Sequence, residues 1–146
     1  MSDKRVTLEL VTPEKVAWSA QADFVVLPAF EGEMGVLPGH QPFLIQLREG
    51  EVRVTDKDAV KRFAVSGGFA EVKGDVISLF AETAEMAEQI DAERAHQALE
   101  RAKAEAVKPG LDPMQLAEME AAIRRAQVRL RVARHGRTVP PHLEER

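Results

Sequence analysis

Arginines at helical spacing are the residues of this chain best suited to chemistry. Arg125 and Arg129 lie four positions apart, and Arg94 and Arg101 lie seven apart, so each pair shares one face of a helix. Clustered guanidinium groups can bind phosphates or an acidic protein surface, because each presents a fork of hydrogen-bond donors. The alternative is a solvated charged face, on which single charges contribute little. The spacing alone leaves both interpretations open.

A run rich in glycine and proline, residues 31–42, offers two other kinds of site. Its last glycine, Gly39, is followed by His40 and Gln41, whereas a phosphate-binding P-loop needs a lysine and a hydroxyl at this point. Glu33 and His40 could begin a metal site, but the first 84 residues hold no other histidine to complete it. We therefore expect a turn-rich contact surface here.

The remaining histidines do not predict a metal site either. His96 is far in sequence from His135 and His142, and glycine and proline separate the last two, whereas a site needs three or four convergent ligands. The chain has no cysteine, which excludes thiol nucleophiles, disulfides and thiolate metal sites. We predict no metal and no catalytic residues.

Composition divides the 146 residues into two parts. All six Phe and Trp18 lie within the first 84 residues, in a mixture of Val, Phe and Gly that is typical of short strands and turns. Alanine, Glu and Arg dominate from Glu85 onward, which favours helices. A length of this order allows one domain, or a small domain with an appendage, and excludes a large multi-domain enzyme.

Apolar residues of the first part alternate with polar ones. Val6, Leu8 and Leu10 do so before a turn at Thr12-Pro13, as in a half-buried strand. Similar segments recur near residues 51–54, 62–65, 69–72 and 76–80, with turn residues between them. This pattern predicts an N-terminal all-β sandwich over residues 1–84.

Capping residues define two helices in the second part. Asp91 is a good N-cap for a helix that ends at Ala106, and Asp112 caps a second helix with Pro113 at its first position. The predicted apolar seams consist of Ala95, Leu99, Ala102 and Ala106 on the first helix and Leu116, Met119, Ile123, Ala126, Leu130 and Ala133 on the second. Residues 85–134 should therefore form a C-terminal antiparallel α-helical hairpin, followed by a flexible tail over 135–146.

The net charge of −4 conceals an uneven distribution. Residues 85–120 carry nine acids and four bases, whereas residues 121–146 carry seven Arg and two Glu. One basic strip on an acidic protein does not indicate a nucleic-acid binder, which usually has a basic face.

The first seven residues include three charges and no secretory signal follows them, so we expect a cytoplasmic start.

Three segments in this order carry a family resemblance: 32–40 (GEMGVLPGH), 66–72 (SGGFAEV) and 90–95 (IDAERA). Together with the β-then-αα division, they resemble the epsilon subunit of F-type ATP synthases over residues 4 to about 134. The resemblance implies a non-catalytic subunit of the rotor's central stalk, whose sandwich docks to the gamma subunit and the c-ring. Glu33 and His40 match family positions that contact the polar loops of the ring.

The same resemblance implies regulation by the hairpin. In this family it folds compactly or extends into the catalytic alpha/beta hexamer and blocks ATP hydrolysis, and some members bind ATP in the compact state. No cofactor is required, and regulatory ATP is possible. The matching positions here are Glu85, Ile90, Asp91, Arg94, Ala95, Arg101, Arg125 and Arg129. In the extended state, Arg124, Arg125 and Arg131 are expected to meet an acidic segment of the beta subunit.

The resemblance also implies a location. It places the chain at the cytoplasmic face of the bacterial inner membrane, as a peripheral protein held there only through the complex.

Two other classes stay open on sequence alone: an unrelated β-sandwich binding module with a helical interaction arm, and a small metal-dependent β-barrel enzyme.

Overall fold

The computed structural model describes residues 4–14 and 16–136, and the chain divides into two units, Met1–Met86 and Ala87–Arg146. This division falls two residues after the predicted one. The predicted tail from residue 137 onward lies outside the described residues, while His135 and Gly136 close the last helix.

The first unit contains ten strands in two sheets. Their bounds are β1 (Val6–Val11), β2 (Val16–Ala22), β3 (Phe24–Ala29), β4 (Gly32–Val36), β5 (Phe43–Gln46), β6 (Gly50–Asp56), β7 (Ala59–Ser66), β8 (Phe69–Lys73), β9 (Val76–Phe80) and β10 (Thr83–Met86). The first sheet has the order β2-β1-β9-β8-β5 and the second the order β10-β7-β6-β3-β4. All pairings are antiparallel except that of β1 with β9, which is parallel.

The core lies between the inner faces of the two sheets. Val6, Leu8 and Leu10 are buried, whereas Thr7 and Glu9 between them are not. Phe63 contributes the largest fully buried side chain, and its ring lies 5.0 Å from that of Trp18 on the other sheet. The alternation predicted from the sequence is therefore the pattern that fills this core.

Five of the ten strands, β2 to β5 and β10, have no counterpart among the segments predicted from alternation. β4 lies inside the run that we expected to be only turns, and β10 begins before the expected end of the sandwich. β4 is an edge strand that pairs with β3 alone, where glycine is tolerated because little packing depends on it. β10 pairs with β7 although its sequence, TAEM, has no strong strand preference.

The second unit consists of a short 3₁₀-helix (Ala87–Gln89) and two α-helices, α1 (Ala92–Ala106) and α2 (Pro113–Gly136). Asp91 Oδ1 accepts a hydrogen bond from the Arg94 N–H at 3.1 Å and so caps α1. Asp112 and Gln115 form a reciprocal capping box at α2, with distances of 2.8 and 3.0 Å. The two helices pack together as a hairpin. The prediction of a sandwich followed by a helical hairpin is confirmed.

The predicted seam of α2 is partly wrong. Ala126 and Ala133 are buried as expected, but Val128 and Val132 are buried as well, and Leu116 is exposed. Val128 and Val132 lie on the side of the helix opposite Ala126 and Ala133, so the C-terminal half of α2 is buried on two sides and not along one seam. The end of α2 also contacts the 3₁₀-helix.

One glycine of the sandwich allows two strands to meet. Gly68 has φ +99°, and a Cβ atom there would overlap the carbonyl oxygen of Phe80. Gly74 also has a positive φ, +62°, but nothing lies within 4 Å of a Cβ at that position. An alanine at Gly74 would therefore introduce backbone strain alone, whereas an alanine at Gly68 would introduce strain together with steric overlap.

We expect Gly68→Ala to lower the free energy of unfolding by more than about 3 kcal/mol, because the overlap adds to a strain cost of about 1–3 kcal/mol. Gly74→Ala is the matched control and should cost about 1–2 kcal/mol. Urea unfolding followed by the fluorescence of Trp18 measures both. Equal losses in the two variants would contradict the assignment of overlap to Gly68.

Candidate functional site

Glu33 lies on the outer edge of the sandwich. It belongs to β4 and pairs with Pro28 of β3. Its carboxylate forms an ion pair with Nη1 of Arg53 at 2.6 Å. The Glu33 side chain is 54% exposed, so the carboxylate is held by one partner and still accessible to another.

His40 lies in the turn that follows β4. Its backbone N–H donates to the Leu37 carbonyl at 3.3 Å, and its Nδ1 lies 2.9 Å from the Gln41 carbonyl. Its ring contacts the Phe43 ring at a centroid distance of 4.7 Å. The preceding Gly39 N–H donates to Asp75 Oδ1 at 2.8 Å, which ties this turn to the one between β8 and β9. The turn is thus fixed at both ends.

The structure places Glu33 and His40 on consecutive segments but gives them different partners. Glu33 pairs with Arg53, and His40 with the backbone and Phe43. A shallow groove begins beside Glu33, with Phe30, Met34 and Ile45 among its lining residues. The arrangement is a shaped contact surface with one carboxylate and one imidazole.

The outer face of the first sheet carries an apolar patch, defined here as Leu44, Phe69 and Phe80. Phe69 lies directly opposite Phe80, and their rings stack at 5.0 Å with an interplanar angle of 28°. Leu44, on the neighbouring strand β5, is 65% exposed. Sequence reasoning missed this patch. The signal was available, because both Phe residues fall on the outward positions of their strands.

The residues of the predicted nucleotide site lie in both units. Glu85 is on β10 of the sandwich unit, and the other seven lie in the helical unit. Ile90 and Ala95 are buried, so they pack inside the hairpin rather than face solvent. Asp91 caps α1.

The four arginines of that prediction are divided between the two helices. Arg94 and Arg101 are exposed on α1, and Arg125 is exposed on α2, while Arg129 is half-buried. The helices that carry them are in contact. The four arginines of the prediction therefore lie on one hairpin, which also carries acids such as Glu93 and Glu118.

The second group of arginines faces solvent. Arg124, Arg125 and Arg131 are all exposed on α2, with Arg124 and Arg131 seven residues apart on one face.

Residues 4–14 and 16–136 contain no group of three or more His, Asp or Glu side chains placed to hold a metal ion.

Comparison with known proteins decides the family. The family model described as "ATP synthase, Delta/Epsilon chain, beta-sandwich domain" matches residues 5–87, and that described as "ATP synthase, Delta/Epsilon chain, long alpha-helix domain" matches residues 88–134. The ATP synthase epsilon chain of Dehalococcoides mccartyi strain CBDB1 is 41% identical over 136 residues, which cover 93% of this chain and 97% of the relative. The chain belongs to the epsilon-chain family of ATP synthases.

A second epsilon chain and one solved structure agree with this assignment. The epsilon chain of Desulforamulus reducens is 49% identical over 100 residues, 68% of this chain and 76% of the relative. A chain of the Euglena gracilis mitochondrial ATP synthase, in a structure of OSCP, F1 and c-ring, has a TM-score of 0.76 at 29% identity, covering 92% of this chain and 86% of that one.

A Tetrahymena thermophila mitochondrial ATP synthase structure of the central stalk and c-ring contains a chain with a TM-score of 0.65 at 11% identity, which supports the fold alone. It covers 91% of this epsilon chain and 99% of the matched one. Matches that span both units argue against an unrelated binding module.

Within the described residues, neither helix is long and apolar enough to cross a bilayer.

The cap of α1 gives a prediction for this epsilon chain. Replacing Asp91 with Ala removes the acceptor for the Arg94 N–H and should cost about 1 kcal/mol of local helix stability. We expect the Arg94 amide hydrogen to exchange about fivefold faster in Asp91→Ala, measured by NMR. Asp91→Asn keeps a capping oxygen and should exchange like the unchanged chain. If Asn behaved like Ala, the charge of Asp91 rather than its cap would stabilise α1.

Proposed function

We propose that the chain is a non-catalytic subunit of the rotor of an F-type proton-translocating ATP synthase, where it couples the catalytic head to the c-ring. The family assignment supports this role, as does the similarity to a chain in a solved complex of F1 and c-ring. The partners are the gamma subunit, the c-ring and the catalytic alpha/beta hexamer. As part of that complex the chain is peripheral to the cytoplasmic face of a bacterial inner membrane.

The apolar patch is the observation that carries the docking role. Contiguous exposed aromatic and aliphatic side chains on a soluble domain mark interaction surfaces, because water solvates them poorly. Leu44, Phe69 and Phe80 lie on three adjacent strands and are exposed on the same face of the sheet, with the two Phe rings stacked. We assign this face to the gamma subunit. A stiff sheet suits the role because it transmits torque without deforming.

Glu33 and His40 are the proposed contacts with the c-ring. Both are accessible, and both lie on backbone that is held in place by hydrogen bonds. Carboxylate and imidazole groups can hydrogen-bond the polar loops that the family resemblance assigns to the ring. Their fixed backbone would let a rotating ring transfer force through them rather than displace them.

The helical hairpin is the proposed regulatory element. On its shorter helix only Ala95, Leu99 and Ala102 are buried, and burial of alanine removes little apolar area from water. A seam of this kind stabilises the hairpin weakly, so a modest interaction can change its conformation. In the extended state, Arg124, Arg125 and Arg131 would contact an acidic segment of the beta subunit and inhibit ATP hydrolysis.

ATP is the proposed ligand of the compact hairpin. Arg94, Arg101, Arg125 and Arg129 lie on two packed helices, and their mutual repulsion opposes close packing unless acids or a polyphosphate lie between them. A bound triphosphate would offset this repulsion. It would add about 2.7 kcal/mol to the compact state when ATP is present at a hundred times its Kd.

Docking is tested by placing a polar residue in the apolar patch. Phe69→Gln should weaken binding of the full chain to the purified gamma subunit by roughly tenfold or more, since a buried Phe side chain contributes about 1.5–3 kcal/mol. The measurement is surface plasmon resonance with immobilised gamma. Val60→Gln is the matched control, because Val60 is exposed to the same extent on the other sheet. Unchanged affinity in Phe69→Gln would refute this docking face.

ATP sensing is tested by isothermal titration of the full chain. Arg129→Ala should raise the Kd for ATP by about tenfold or more, because a hydrogen bond to a charged group contributes about 1.5–3 kcal/mol. Arg94→Ala, at an exposed position, should do the same and guards against loss of folding in the first variant. Arg134→Ala, an exposed arginine of α2 outside the predicted site, should bind ATP like the unchanged chain. Absence of heat from the unchanged chain would exclude ATP binding.

A further inference from the structure

A chain of ion pairs runs across the outer face of the second sheet. It begins at Glu51, whose Oε1 lies 2.8 Å from Nη1 of Arg62 and 3.5 Å from Nη1 of Arg53. The same Nη1 of Arg53 lies 2.6 Å from Oε2 of Glu33. Two acids and two bases therefore alternate from β7 through β6 to β4, and these four residues are named here the Glu33 relay.

The strand register explains why the relay contains Glu51. Arg53 of β6 lies directly opposite Arg62 of β7, and like charges in that position repel each other. Glu51 precedes Arg53 by two residues, so its side chain is on the same face of the sheet. Its carboxylate lies between the two guanidinium groups and converts a repulsive pair into an attractive triad.

Solvent exposure is lowest at Glu51, inside the relay, and rises from there toward Glu33. The Glu51 side chain is 7% exposed, those of Arg62 and Arg53 are 24% and 32% exposed, and that of Glu33 is 54% exposed. A buried carboxylate requires paired partners, so Glu51 restricts the rotamers of the arginines around it. The relay thus has a buried carboxylate at Glu51 that anchors both arginines, and an accessible end at Glu33.

Arg53 spans a whole strand to reach Glu33. In the sheet order, β3 lies between β6 and β4, so the two backbones are about 9–10 Å apart. The residue of β3 opposite Arg53 is Val26, and the residue of β4 opposite Val26 is Gly35, which has no side chain to obstruct the crossing. A long side chain is required to reach across β3, and the two N–H donors of Arg53 Nη1 allow that one nitrogen to contact both Glu51 and Glu33.

We propose that Arg53 is a positioning residue, which orients the Glu33 carboxylate for its contact with the ring and is itself anchored by Glu51. This role rests on the proposed function of Glu33. Without Arg53, an exposed Glu side chain on an edge strand samples several rotamers, and ordering it on contact costs conformational entropy. With Arg53, the ion pair already orders the Glu33 side chain in the free subunit.

The test uses the assembled synthase in inverted membrane vesicles. The readout is ATP-driven proton pumping divided by ATP hydrolysis, for the unchanged chain and for Glu33→Gln, Arg53→Gln and the double variant. If Arg53 acts through Glu33, both single variants lower this ratio, by up to about fivefold for an ion pair of this exposure, and the double variant is no worse than Glu33→Gln. Arg48→Gln, at an exposed arginine of the same unit, is the control and should leave the ratio unchanged.

A second measurement reports the contact itself. In the NMR spectrum of the isolated full chain, Glu33→Gln should shift the guanidinium ¹⁵N signals of Arg53 and leave those of Arg48 in place. Binding to the gamma subunit and the urea midpoint of each variant show whether the sandwich is intact.

Each result decides a different point. Pumping lost in Glu33→Gln but retained in Arg53→Gln overturns the positioning role and leaves the ring contact standing. Pumping retained in Glu33→Gln refutes the ring contact, and with it the role of Arg53. A further loss when Arg53→Gln is added to Glu33→Gln shows that Arg53 acts by another route and also overturns the proposal.

Discussion

The packing of two inner sheet faces against each other is the constraint on which the sandwich depends. Its core is continuous and almost entirely aliphatic, with Leu8, Leu27 and Leu79 fully buried among others of their kind. Because side chains alternate along every strand, burying one set commits the other to the outer faces. Those faces carry the surfaces for which we propose partners: stacked Phe rings on one sheet and a row of paired charges on the other. The proposed contacts therefore use residues that the core does not.

The helical unit follows a different principle. It lacks a thick core and relies on capped helix ends and a narrow strip of small residues. Small side chains allow close approach of two helices but leave little area to resist separation. The chain therefore joins a part whose shape is fixed by packing to a part in which less apolar area is buried. This contrast suits the proposed function, in which the first part docks and the second senses a ligand.

Sequence predicted the elements that have local signals. The alternation around Leu8 predicted β1, and the capping residues Asp91 and Asp112 predicted where both helices begin. β4 and β10 were among the strands that were missed, because an edge strand is specified by its neighbour more than by its own residues. Motifs also indicated Glu33 and His40 as contact residues. No motif could show that Arg53 reaches Glu33 across an intervening strand, since strand order depends on pairings distant in sequence.

The parallel pairing of β1 with β9 has a consequence for synthesis. Leu8, near the start of the sandwich, pairs with Ile77, near its end, and β1 lies inside its sheet between β2 and β9. The first sheet cannot close on the ribosome until almost the whole unit has emerged, and contacts of such long range make folding slow. Until then β1 has an unpaired edge and exposed leucines. The nascent subunit is therefore at greatest risk of aggregation before β9 emerges, which favours rapid elongation or chaperone cover over this stretch.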